Sequence, residues 1–186
     1  MYNVIKKDEW KTNNWAFGET NEILIYPENS SYANRDFQVR ISVANCSNEE
    51  RSEFTYLPGV KRFIANMDGR MFLSHEGRYE TEVNKYEIER FCGDWTTYSY
   101  GQYTDFNLML KGVRGDLYYG EFDGDVSLRL QSGAFLTFIY LVEGECSIVD
   151  EYIVLQKNDL LASDSCRINI SAKKAKIFYG YAKNWE

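Results

Sequence analysis

The sequence contains a single histidine, His75, and this scarcity argues against several kinds of active site. A typical mononuclear metal site built on two or three imidazoles cannot be assembled within a chain that has only one. A Ser-His-Asp relay would have to use His75, yet the G-x-S-x-G motif, the Walker loop and the dinucleotide fingerprint are all absent. His75 itself lies in "SHEG", which predicts a solvent-exposed turn. We therefore expect no metal and no cofactor.

Basic clusters and long apolar runs are also missing. The chain has 21 Lys and Arg against 28 Asp and Glu, and no basic run longer than "KK", so it lacks the positive surface that nucleic acids require. The longest apolar cluster, "GAFLTFIYLV" at 133–142, has the length of a strand and not of a membrane-spanning helix. The N-terminal "MYNVIKKDEWK" has no apolar segment of the kind found in signal peptides. We expect a cytoplasmic protein with no nucleic-acid or membrane partner.

Cysteine is present but scattered. The chain has no C-x-x-C pair, and its four cysteines are Cys46, Cys92, Cys146 and Cys166. Isolated cysteines are more often reduced small hydrophobes than disulfides or metal ligands. We therefore expect them to be reduced and half-buried.

Period-two alternation of apolar and polar residues recurs along most of the chain. It predicts nine strands, at 22–26, 37–44, 70–77, 105–110, 116–122, 125–130, 134–142, 152–156 and 176–182. Turn signals such as "LPG", "MDG", "FDGD" and "VEGE" separate them. There are no amphipathic helices from which a parallel α/β sheet could be built. The pattern is typical of an all-β sandwich or barrel with little helix.

A glycine-rich stretch, "LKGVRGD" at 110–116, is the best candidate for a joint between two domains. The segments before and after it are each long enough for about half a dozen short strands. The sequence therefore predicts two fused β-barrels or sandwiches, at 1–112 and 113–186.

Polar residues occur at regular positions in three of the predicted strands. Alternation predicts that Glu22 shares a face with Leu24 in "TNEILIYP", Arg40 with Ser42 in "DFQVRISVA", and Asp105 with Asn107 in "QYTDFNLML". Such a face fits a solvent-exposed outer surface. It equally fits a pocket inside a barrel, and periodicity does not choose between the two.

Three functions fit these side chains. The first is ligand binding, in which Arg40 grips a carboxylate with two hydrogen bonds. The second is a metal-independent isomerase, epimerase or lyase that uses Asp105 or Glu22 as base and Arg40 to stabilise an oxyanion. The third is a structural or interaction protein in which Arg40 is tied to one of these carboxylates inside the barrel.

Five motifs, taken in order, resemble those of the HutD/Ves family and most closely its Ves branch. They are "NNWAFGETNEILIYP", "DFQVRISVA", "SEFTYLPGVKRF", "FCGDW" and "TDFNLML", and they run in register from about Trp15 to Met109. The resemblance implies a bicupin, that is, two fused barrels of the RmlC-like cupin superfamily. It also implies a regulatory small-molecule binding protein, linked to histidine utilisation or to a stress response, with no activity established for the family as a class.

The resemblance further implies which residues contact a ligand. The recurrent polar positions of the family are Thr20, Glu22, Arg40, Ser42, Asp94, Asp105 and Asn107. Other matching positions, including Phe54 and Arg62, have a structural interpretation. The sequence departs from the family pattern at Asn21 and Val39, where an arginine and a tryptophan are common.

Together these observations predict a metal-free protein that binds a small polar or carboxylate metabolite in its N-terminal barrel. The metal-independent enzyme and the structural protein remain as alternatives. The oligomeric state is open, and a homodimer is one option because sheet edges favour pairing.

Overall fold

The structure is a computed structural model that describes residues 1–47 and 49–185. Within these residues the chain folds almost entirely as β-strands, and the only helices are two 3₁₀ turns, Lys7–Glu9 and Val149–Glu151. The predicted all-β class with little helix is confirmed. Neither 3₁₀ turn has the length or the apolar character that would be needed to span a bilayer. Among the described residues none of the four cysteines forms a disulfide; Cys46 and Cys146 are buried, and the other two are exposed.

The chain divides into two compact units. One consists of Lys11–Gly112, and the other of Val113–Glu186 together with Met1–Trp10. The sequence-based division assigned the first ten residues to the N-terminal domain. The structure groups them with the C-terminal unit because β1 (Tyr2–Ile5) pairs antiparallel with β15 (Leu160–Ser163).

The N-terminal unit, Lys11–Gly112, contains two sheets. The six-stranded sheet has the order β2 (Lys11–Trp15), β3 (Gly18–Tyr26), β4 (Val39–Cys46), β11 (Tyr103–Lys111), β6 (Val60–Gly69) and β9 (Ile88–Cys92). The four-stranded sheet has the order β5 (Ser52–Glu53), β10 (Thr97–Tyr100), β7 (Met71–His75) and β8 (Tyr79–Val83). The predicted apolar residues of the central strands, such as Ile41, Phe106 and Leu108, are fully buried.

The C-terminal unit is built on one sheet. Its order is β1, β15, β13 (Leu136–Ile148), β16 (Arg167–Lys183) and β12 (Arg114–Arg129), and β14 (Ile153–Leu155) also pairs with β13. One face of this sheet carries an apolar cluster of leucine, isoleucine and alanine side chains. Ile139, Leu141, Ile170 and Ile177 in this cluster are fully buried.

Two predicted turns of the C-terminal unit are β-bulges inside longer strands. "FDGD" was expected to separate strands 116–122 and 125–130, but β12 continues through it with a register shift between Phe122 and Gly124. "VEGE" likewise lies within β13, which extends to Ile148. Gly124 and Gly144 have φ values of 88° and 84°, so each glycine supplies a left-handed residue at its bulge. A glycine turn signal in a long strand cannot be distinguished from a bulge by pattern alone.

Candidate ligand-binding site

The polar residues of the N-terminal unit converge because four neighbouring strands, β3, β4, β11 and β6, align them in rows. Residues directly opposite each other on adjacent strands point to the same face of a sheet. The register forms three such rows: Ile25–Arg40–Met109–Arg62, Glu22–Ser42–Asn107–Ile64 and Thr20–Ala44–Asp105–Asn66. Side chains that are 15 to 85 residues apart in sequence therefore lie in the same row and share one face.

A bulge in β3 places Glu22 on this face. Alternation predicted that Glu22 and Leu24 share a face, and this prediction is wrong. The register shifts at Ile23, so that Glu22 lies opposite Ser42 while Leu24 lies opposite Ile41 on the other face. One extra residue in a strand reverses the orientation of everything beyond it.

The shared face lines a cavity of about 680 Å³ within the N-terminal unit. Six of the seven predicted ligand-binding residues line it, namely Thr20, Glu22, Arg40, Ser42, Asp105 and Asn107. The lining also includes residues that were not predicted to bind a ligand, among them Trp15, Tyr32, Phe54, Arg62 and Tyr103. The polar faces of the three strands are thus a pocket lining and not an outer surface.

Asp94 is the predicted site residue that does not reach the cavity. It lies in the turn after β9, and its side chain is exposed. The family motif around it, "FCGDW", has a structural explanation in the adjacent glycine. A Cβ on Gly93 would lie 2.6 Å from the carbonyl oxygen of Leu57, so only glycine fits there.

Arg40 is held by three neighbouring side chains of the cavity. Its Nε donates to Glu22 Oε2 at 2.7 Å, and its Nη1 donates to Ser42 Oγ at 3.3 Å. Its guanidinium carbon lies 4.3 Å from the centroid of the Tyr32 ring. Arg40 is 4% exposed, so this ion pair is buried and its two charges balance each other.

Arg62 is the second buried arginine of the cavity, and the sequence analysis interpreted it as structural. It is 5% exposed, and its Nη2 donates to Asn107 Oδ1 at 3.3 Å. Its Nε has no hydrogen-bond partner among the residues that the structure describes, and burial lowers the pKa of its guanidinium from the ordinary value. The guanidinium carbon lies 4.4 Å from the centroid of the Phe54 ring, which fixes its plane. Arg62 and Ile64 are two residues apart in "VKRFIAN", so period-two alternation puts both on the same face of a strand. That pattern could have predicted an inward-facing Arg62.

Asp105 and Asn107 continue the polar chain from Arg62. Asn107 Nδ2 donates to Asp105 Oδ1, and both side chains are buried. Burial raises the pKa of Asp105 to about 8, and the positive charges of Arg62 and Arg40 offset only part of that effect. Burial thus favours the neutral form of this carboxyl group.

His75 differs from its prediction. It is the last residue of β7 and is 1% exposed, so the expected solvent-exposed turn is wrong. Its Nδ1 lies 2.9 Å from Thr97 Oγ1, and its ring packs against Tyr79, Phe91 and Trp95 with centroids 4.8 to 5.3 Å apart. In the described part of the chain, no group of three or more His, Cys, Asp or Glu side chains is arranged to hold a metal ion.

A second concavity of about 680 Å³ lies in the C-terminal unit. Its lining includes Asp125, Asp150 and Tyr152, which are exposed, and it contains no buried charged side chain. Asp150 Oδ2 accepts a hydrogen bond from Asn169 Nδ2 at 2.8 Å. This groove therefore offers a ligand much less than the N-terminal cavity does.

The sequence profile of the HutD family matches residues 5–179, nearly the whole chain. The chain belongs to the HutD family. Comparison with functionally curated proteins finds no significant match.

Solved structures that resemble this HutD-family chain cover its full length. PA5104 from Pseudomonas aeruginosa PAO1 has 18% identity and a TM-score of 0.84, and HutD from Pseudomonas fluorescens SBW25 has 21% identity and a TM-score of 0.79; both matches cover 100% of each chain. YhhW from Escherichia coli has 10% identity and a TM-score of 0.77, covering 100% of this chain and 99% of its own. At such identities the likeness shows the fold alone, which is all-β and cupin-like.

Proposed function

We propose that this HutD-family protein binds a small metabolite whose carboxylate, or similar anionic group, is held by Arg62 in the N-terminal cavity. The observation that carries the proposal is the unpartnered Nε of a guanidinium that is 5% exposed. A buried cation that is hydrogen-bonded to a neutral amide and lies near a carboxyl group that burial keeps neutral is costly, and a bound anion would offset that cost.

The difference between the two arginines supports Arg62 as the contact. Arg40 already shares an ion pair with Glu22, whereas the side-chain hydrogen bond of Arg62 goes to the neutral amide of Asn107. The Nε and Nη2 edge of a guanidinium matches the two oxygens of a carboxylate. Arg62 therefore takes the anion, and Arg40 holds the wall of the cavity in place.

The rest of the lining supports a ligand with a planar or apolar body. Trp15, Tyr32, Phe54 and Tyr103 contribute aromatic surface beside the polar groups. A volume of about 680 Å³ is within the usual range for small-molecule pockets. Membership of the HutD family makes urocanate and formylated amino acids from histidine utilisation the first compounds to test.

A thermal-shift titration of small carboxylates tests the proposal. Formate, acetate, urocanate and formylglutamate are added to the wild type, to Arg62→Met and to a matched control, Arg70→Met. Arg70 lies in the same unit with a side chain that is 73% exposed. We expect at least one compound to raise the melting temperature of the wild type and the control but not of Arg62→Met. Equal responses of all three proteins to every compound would overturn the proposal.

A metal-independent enzyme is the second candidate, and the raised pKa of Asp105 favours it. A carboxyl group with a pKa of about 8 is poised for proton transfer near neutral pH. Glu22 is less suited because it is paired with Arg40. Exchange of substrate C–H protons in deuterated water, followed by NMR and lost in Asp105→Asn, would support an isomerase or lyase. If ligands bind but their C–H protons do not exchange, binding would be the remaining function.

A further inference from the structure

We propose that the anion is bound together with a proton on Asp105, so that the cavity holds its ligand while Asp105 is neutral and releases it when Asp105 ionises. This inference rests on the proposed binding of an anion at Arg62. It adds a specific regulation, in which the affinity of the site depends on one buried carboxyl group.

The direction of the hydrogen bonds from Arg62 to Asp105 is the first argument. Arg62 carries only donors, so its contact at 3.3 Å fixes Asn107 Oδ1 as the acceptor. The amide must therefore turn its Nδ2 toward Asp105, where it donates to Oδ1. A proton on Asp105 then resides on Oδ2. The side chain can offer that proton to a ligand in the same cavity as the unpartnered Arg62 Nε.

The charge of the site is the second argument. The buried or half-buried charged side chains that line the cavity are Glu22, Arg40, Arg62 and Asp105. Glu22 and Arg40 cancel in their ion pair, which leaves Arg62 and Asp105. With Asp105 neutral this set has one net positive charge and attracts an anion. With Asp105 ionised the set is neutral and a second negative charge would lie beside the ligand, which is costly in a desolvated pocket.

The titratable and charged groups around Asp105 come from three strands, and Asp105 is the one that we expect to change its charge in this pH range. Arg62 comes from β6, Arg40 from β4 and Tyr103 from β11, and all three interact electrostatically with Asp105. Tyr32 interacts electrostatically with Arg62, and Cys46 does so with Tyr103. Burial raises the pKa of Tyr103 far above its ordinary value, and its hydroxyl donates to Ser99 Oγ at 2.7 Å.

The burial of Asp105 agrees with a side chain that is neutral when the anion is bound. Its side chain is 3% exposed, and burial raises its pKa to about 8. A bound anion raises that pKa further, because it disfavours a second negative charge nearby. Below the pKa that Asp105 has in the unliganded protein, the anion binds without a change in protonation. Above that pKa, binding of the anion is coupled to the uptake of a proton from solvent.

The test is a titration with acetate and formate, which stay ionised throughout, over the range of about pH 6 to pH 9.5. Apparent affinity, measured by NMR well below the melting temperature, should be constant below about pH 8 and fall about tenfold per pH unit above it. Asp105→Asn keeps a neutral donor in place, so its affinity should not change across this range. Asp68→Asn removes a carboxylate that is 78% exposed and should behave as the wild type does.

The outcomes separate the two proposals. Binding that is equally strong at all pH values, or that weakens in Asp105→Asn as it does in the wild type, overturns the proton coupling and leaves anion binding intact. No binding at any pH removes both. A direct readout is the ¹³C resonance of the Asp105 carboxyl carbon, which should titrate near pH 8 and shift to higher pH when acetate is present. A resonance that already reports the ionised form at pH 6 would also overturn the coupling.

Discussion

The interiors of the two units differ in polarity. Among the described residues, ten of the buried polar side chains lie in Lys11–Gly112 and only three in Met1–Trp10 with Val113–Glu186. The three in the C-terminal unit are Thr137, Asp159 and Ser163. The C-terminal sheet instead buries aliphatic residues such as Ile139 and Ile177. One unit has kept polar groups inside at a cost in stability, while the other has an ordinary apolar core.

The partners of these polar groups show what the difference means. In the C-terminal unit, the single hydroxyl proton of Thr137 is shared between the backbone carbonyls of Ser163 and Ser165, and Asp159 accepts the backbone N–H of Gln156. These side chains complete the backbone bonding of turns. In the N-terminal cavity Arg40 and Arg62 bond to other side chains. Buried polar groups that face one another across a cavity indicate a site, whereas those bonded to the backbone indicate architecture.

The largest effect is expected from breaking the Arg40 ion pair. Arg40→Met leaves Glu22 as a half-buried carboxylate without its 2.7 Å partner. We expect the free energy of unfolding to fall by about 3 kcal/mol or more. Chemical denaturation measures this loss, and the double variant Glu22→Gln/Arg40→Met should recover much of it. A loss below about 1 kcal/mol would mean that the pair is solvated as surface pairs are.

Arg62 should behave in the opposite way. Arg62→Met removes a buried cation whose Nε has no partner, so the unliganded protein should be as stable as the wild type or more stable. Two arginines in one row of the same sheet would then have different roles, one holding the cavity wall and the other binding. A loss as large as that of Arg40→Met would show that Arg62 is a structural tie.

The apolar core of the C-terminal unit provides the next contrast. Ile139 is fully buried in the aliphatic cluster of β13, β15 and β16. Ile139→Ala should lower the free energy of unfolding by about 2–4 kcal/mol, since it removes transfer energy and leaves a void. Acetate affinity, measured well below the melting temperature, should stay at the wild-type value. A change in affinity would contradict the assignment of binding to the N-terminal unit.

These contrasts also show how far the sequence alone leads. Alternation predicted strands that fall on β3, β4, β7, β11, β12, β13, β14 and β16, and it placed Asp105 and Asn107 on one face, because strand periodicity is a local property. It missed the other strands, among them β6, which carries Arg62. It did not predict that this face is internal, which depends on the pairing of β11 with β4 and β6. It also misplaced Glu22 relative to Leu24, because a bulge is a one-residue event that leaves little trace in composition.

His75 should make the stability of the N-terminal unit sensitive to acid. Burial lowers the pKa of His75 below the ordinary value of 6.5. The negative charge of Glu89 opposes part of this decrease, and the positive charge of Arg78 lowers the pKa further. The unfolded chain therefore takes up a proton more readily than the folded one, so stability is lost as pH falls below about 6.5. Between about pH 6.5 and pH 4.5 the melting temperature of the wild type should fall more steeply than that of His75→Phe. Parallel curves would mean that His75 does not contribute.

The smallest effect is expected at Asp94, and it tests the boundary of the site. Asp94 matches the family motif as Asp105 does, but it is exposed in the turn after β9 and lies outside the cavity lining. Asp94→Asn should change the free energy of unfolding by less than about 0.5 kcal/mol and leave acetate affinity unchanged. Asp105→Asn removes a titratable carboxyl group from the buried site and should abolish the pH dependence of binding. If the two variants behaved alike, position in the cavity would not be what distinguishes a binding carboxyl group from a surface one.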